Sequence, residues 1–100
     1  MIETTLTLPL KRKWFEIIRS GEKREEYREM SPYWKSRFGH VCYGVGRSYD
    51  RLVFTLGYPK KDDTERRLEF ANPQVSIGFG LPEWGAEPGR LYFIITWEAK

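Results

Sequence analysis

The chain has 100 residues, 40% of them apolar and 16% aromatic, with a single cysteine, Cys42. This suits one domain over residues 1–100 with a core of its own, excludes an internal disulfide, and does not fit a disordered chain. Seventeen Lys or Arg against fourteen Asp or Glu give +3, a mild cationic bias that permits a nucleic-acid or nucleotide partner without demanding one.

Residues 2–8 predict a strand in which Leu6 and Leu8 alternate with Thr5 and Thr7, with Pro9 ending it and opening a helix over 10–20. Leu10, Trp14, Ile17 and Ile18 share one arc of that helix, and Ser20-Gly21 stops it. Residues 23–29 change to strand period but carry charges on both faces. Such a strand either lies at a sheet edge or lines a cleft in which its charges pair.

Ser31, Pro32 and Gly39 bracket a second helix at 32–38, with Trp34 and Phe38 on one face. Residues 40–48 read as a loop or short irregular strand. Its Gly44-Val45-Gly46 lacks the rest of any phosphate-loop signature. His40 and Cys42 are read as a loop histidine and a buried thiol, and no metal or cofactor is expected. Residues 49–58 contain the apolar run of a central strand, 59–63 a polar turn, and 65–78 a long strand bent at Asn72-Pro73. A Gly- and Pro-rich loop over 79–89 leads to the strongest strand, 91–97. The order is an α+β pattern of two short helices and five to six strands, favouring a small curved sheet or barrel.

No apolar run reaches the ~20 residues of a membrane helix. The first residues also lack the basic and apolar regions of a signal peptide. A cytoplasmic location, with no membrane and no obligatory protein partner, is the expectation.

Charge is concentrated early: residues 11–37 hold nine Lys or Arg and five Glu. Within them, Gly21-Glu22-Lys23-Arg24-Glu25-Glu26-Tyr27-Arg28 is the informative stretch. Glu26 and Arg28 are two apart and point to one side of a strand. Arg28 is suited either to hold Glu26 ionised or to grip a phosphate or carboxylate with its planar fork. Lys23 adds a point charge at the helix-to-strand turn. The competing reading is an ion-paired strand that only solvates an edge. Lys11, Arg12 and Lys13 are candidate phosphate contacts or a solvated helix end. Trp84 is a candidate base-stacking residue or a core plug, and Tyr27, Tyr33 and Trp34 pose the same choice.

Gly21, Lys23, Glu26 and Arg28 match the Gly-x-Lys-x-x-Glu-x-Arg signature of the ASCH domain family. The helix 14–20 resembles that family's helix leading into the motif, and the loop 80–89 with the aromatic strand after it resembles a branch of small bacterial and phage members. The resemblance implies a PUA-like fold, a small β-barrel with flanking helices and a cleft lined by the motif. It implies binding of RNA or a nucleotide-like ligand in the cleft lined by Gly21, Lys23, Glu26 and Arg28, to which the residues themselves add Trp84, Arg12 and Lys11 as candidate contacts. Certain members of that family are hydrolases of modified nucleosides or ribonucleases, and Lys23 matches the hydrolase lysine by position; in an enzyme, Glu26, or Glu83 from the loop 79–89 folded over the cleft, would handle the proton. Arg24 stands where the amidohydrolases have their threonine nucleophile, and a guanidinium cannot form the acyl intermediate. Glu87 and Glu69 are further candidate bases. A protein-interaction module docking through the aromatic loop is the third reading.

Overall fold

The computed structural model describes residues 4–42 and 49–99, without the side chains of His40, Val41 and Cys42. The Gly44-Val45-Gly46 stretch and the side chains of His40 and Cys42 therefore lie outside the described residues. The elements in chain order are β1 (Thr5–Leu10), α1 (Arg12–Arg19), β2 (Glu26–Glu29), α2 (Pro32–Cys42), β3 (Arg51–Leu56), β4 (Arg67–Phe79) and β5 (Leu91–Glu98). Short 3-10 turns occupy Thr64–Arg66 and Pro82–Trp84. The strands form a mixed five-stranded sheet in the order β1-β3-β4-β5-β2. With β1 and β2 at its two ends, the sheet is open, and barrel closure is not among its pairings. No helix among the described residues is long and apolar enough to cross a membrane.

The chain divides into two compact units, one of residues 1–24, 49–73 and 97–100, the other of residues 25–48 and 74–96. In the first, β1 and β3 run parallel, with Leu6 against Leu52 and Leu8 against Phe54. The Leu residues of β1 alternate inward, so Leu6, Leu8 and Leu10 are buried together with Leu52, Val53 and Phe54. Phe15 and Ile18 are the buried residues of α1. Phe54 also meets Phe70 and Trp97 edge-on, at 6.0 and 5.0 Å between ring centroids.

Pro9, expected to end the first strand, lies within β1. A residue without an N–H is tolerated there because β1 is an edge strand with only one neighbour. The irregularity foreseen at Asn72-Pro73 is present without interrupting β4. Asn72 takes φ +49, its side-chain amide donates to Glu98 at 2.9 Å, and Pro73 is buried.

In the second unit, β2 is antiparallel to β5, with Glu26 opposite Ile95 and Arg28 opposite Phe93. The charged segment is strand only from Glu26, so the expected strand over 23–29 is shortened at its start. Ser31 caps α2, its Oγ accepting from the Trp34 N–H at 3.4 Å. Gly39 is not the stop foreseen: α2 continues to Cys42, and the backbone of Gly39 is not left-handed. A glycine costs a helix about 1 kcal/mol relative to alanine, which neighbouring turns absorb. Phe38 and Phe93, both buried, meet at 5.5 Å.

Candidate functional site

The segment leading to Lys23 is fixed by the end of α1. The Ser20 N–H donates to the Glu16 carbonyl and the Gly21 N–H to that of Ile18, each at 3.0 Å. Gly21 is in the left-handed region at φ +87, which an L side chain resists. The chain then doubles back far enough for the Lys23 N–H to reach the Ile17 carbonyl at 3.0 Å, which also accepts from the Ser20 hydroxyl at 2.9 Å. Lys23 is only 2% exposed, and its ammonium lies 4.2 Å from the centroid of the Trp14 ring. A buried ammonium is costly unless compensated, and the negative face of an indole offsets part of that cost. Trp14, placed by sequence on the apolar arc of the helix, thus has a second part as a partner of Lys23.

In the second unit, Glu26 and Arg28 share one side of β2. Glu26 is 4% exposed, and its carboxylate accepts from the Arg28 guanidinium. The same nitrogen of Arg28 donates to the Tyr27 carbonyl at 3.0 Å, and the guanidinium lies 5.4 Å from the Trp34 ring centroid. The arginine is therefore held by a carboxylate, a carbonyl and an indole. Guanidinium is suited to such a place because it is planar and weakly hydrated.

Tyr27 is buried in a cluster with Ala86 and Tyr92, against which Trp84 and Ile94 pack. Its hydroxyl donates to Glu25 at 2.8 Å and accepts from the Leu81 N–H at 2.9 Å. Burial pushes the phenol up to about 12, and the Glu25 carboxylate acts in the same direction, while the Leu81 N–H opposes them. The Tyr92 hydroxyl likewise accepts from the Glu87 N–H at 3.0 Å. Two buried phenols thus pin the loop between β4 and β5 at Leu81 and Glu87. Gly80 fits because it has no side chain. A Cβ there would come within 2.7 Å of the Tyr27 ring and of the Ala86 methyl carbon.

The candidate residues separate by environment. Glu26 and Arg28 are brought into direct contact in one unit, while Gly21 and Lys23 belong to the other. Trp84 is partly buried against the Tyr27 cluster. Lys11 is exposed at the start of α1, and Arg12, also exposed, lies 3.9 Å from Glu16. Arg24, Glu83 and Glu87 are exposed, with Glu87 at 3.5 Å from Arg90. Glu69 is ion-paired with Arg51. Tyr92 and Gly80, which fix the loop, were not singled out by residue type. Their signal is the spacing of a glycine before Leu-Pro and an aromatic opening the last strand. Comparison with protein-family models, with curated proteins and with solved structures gave no match.

Proposed function

We propose that the chain is an ASCH-type, PUA-like domain that binds RNA, or a nucleotide-like ligand, through the cations of the segment 21–28. The observation that carries this reading is the withdrawal of the motif's charges from water. Among the described residues, Lys23 and Glu26 are the buried charged ones, and the Arg28 side chain is 15% exposed. An edge strand whose charges only keep it soluble has no reason to bury them, since each ion loses several kcal/mol of hydration. Buried or half-buried cations in a set geometry serve recognition of an anion better than mobile ones on the surface. Arg28, partly exposed, is the fork that takes a phosphate or carboxylate, with Glu26 orienting it, while Lys23, buried in its own unit, adds only the field of its charge. Trp84 supports the loop beside β2 and β5.

Fluorescence anisotropy with labelled single-stranded RNA at several salt concentrations tests this. The affinity should fall with salt as counterions are released. Lys23→Met and Arg28→Gln, which avoid placing a new charge in a buried site, should each weaken binding roughly tenfold. Circular dichroism establishes that both variants fold. Folded variants that bind as the parent does, or an affinity indifferent to salt, would overturn the proposal. Consumption of an acylated nucleoside or cleavage of the RNA, lost in Lys23→Met, would replace it with the hydrolase reading.

A further inference from the structure

The turn after β3 meets the end of β1, where α1 begins, and all of these belong to the first compact unit. The Gly57 N–H donates to the Leu10 carbonyl at 3.2 Å, and the Gly57 carbonyl accepts from the Thr55 hydroxyl at 2.8 Å. Gly57 is left-handed at φ +64, so the chain turns sharply there. The Arg67 guanidinium then donates to the carbonyls of Pro59 and Lys60 at 3.3 and 3.2 Å. With these carbonyls drawn toward Arg67, the turn leaves Tyr58, Lys60 and Lys61 exposed, Tyr58 at 93%. Standard backbone dimensions added to the Gly57–Leu10 contact put the Lys11 Cα within about 11 Å of the Tyr58 Cα, and the Lys60 Cα within about 8 Å of it.

Residues 10–15 and 56–61 hold five Lys or Arg and no Asp or Glu. Lys11, Lys60 and Lys61 enter no ion pair among the described residues, and the Tyr58 ring meets neither another ring nor a cation there. Glu16 and Asp63, which follow these stretches, are held by Arg19 and Arg66 at 2.5 and 3.1 Å, and Asp62 and Glu65 are too few to cancel the positive field. An exposed tyrosine is ordinary. This one has its backbone restricted by Pro59 behind it and by the bonds that fix the turn, so less freedom is lost when something binds. A bare ring among unpaired lysines suits a strand of unpaired bases, whose faces stack while its phosphates take the charge. A duplex hides those faces, and an acidic peptide would use the lysines without needing the ring.

We infer that the turn 57–61, with Lys11, forms a second contact surface for single-stranded RNA. Tyr58 stacks on a base, and Lys11, Lys60 and Lys61 neutralise neighbouring phosphates. This rests on the RNA reading above but draws on none of residues 21–28.

Anisotropy titrations of the full chain with a fluorescein-labelled single-stranded RNA, and with the same RNA annealed to its complement, provide the test. Tyr58→Ala should weaken single-strand binding roughly 5- to 150-fold, whereas Tyr58→Trp should retain it. Lys11→Gln, Lys60→Gln and Lys61→Gln should each reduce the slope of log affinity against log salt by about 0.7. Lys35→Gln, the same change of charge at an exposed position of α2, should leave affinity and slope as in the parent. Parent-like binding in Tyr58→Ala and in the three lysine variants, or a duplex bound as tightly as the single strand, would overturn this surface while leaving the segment 21–28 in place. Equal losses in Lys35→Gln would overturn it as well, because net charge alone would then be read. Absence of parent RNA binding would overturn both. Polyglutamate bound in place of RNA, and lost in the lysine variants, would overturn the nucleic-acid assignment and give the surface to acidic partners.

Discussion

In α1, Arg12 and Arg19 flank Glu16, at 3.9 and 2.5 Å, so one carboxylate serves two guanidinium groups on the same helix. α2 holds no carboxylate of its own, and the Arg37 guanidinium lies over the Tyr33 ring. The first arrangement satisfies charge locally and contributes little to stability or recognition. The second holds a guanidinium against a ring that itself packs on Trp34, which stacks in turn on the buried Phe38. The two short helices therefore hold guanidinium groups differently, one through a carboxylate and the other against an aromatic ring.

The strongest way to break this contrast is to remove the buried foot of the α2 series. Phe38→Ala should lower stability by about 3–5 kcal/mol in urea unfolding, because a buried ring leaves a cavity that the surroundings only partly fill. A loss below 1 kcal/mol would mean that the ring series is not anchored in the core. Next in size, Gly21→Ala should cost about 1–2 kcal/mol in the same measurement. The new methyl meets nothing within 4 Å, so the cost comes from φ +87 alone. An unchanged midpoint would show that α1 ends without needing a left-handed residue. The smallest effect belongs to Glu16→Gln, which should reduce stability by about 0.3–0.5 kcal/mol at low salt and less at high salt. A larger, salt-independent loss would show that α1 depends on its ion pairs more than their exposure allows.

Much of the architecture was legible in the sequence. The run Leu52-Val53-Phe54 and the closing Leu91–Trp97 segment contain enough β-branched and aromatic residues to become strands in most contexts. Their neighbours were less legible, because the outcome depends on partners. Pro9 sits inside a strand only because that strand is at the sheet's edge. Gly39 sits inside a helix because the turns around it carry the cost. In the candidate site, the pairing of Glu26 with Arg28 follows from a two-residue spacing on a strand. The burial of Lys23 does not follow from its charged surroundings: it depends on a backbone bond to Ile17 and on the position of the Trp14 ring. The bond between Tyr27 and Leu81 crosses 54 positions of sequence, and no local pattern announces it.

Gly80 gives that long-range bond an evolutionary consequence. Only hydrogen fits where the backbone passes the Tyr27 ring and the Ala86 methyl. Drift at positions 27, 80 and 86 is consequently not independent. A bulkier residue at 80 becomes admissible only in a lineage that has already made room at both of the other two, which ties the history of an early strand to that of a late loop.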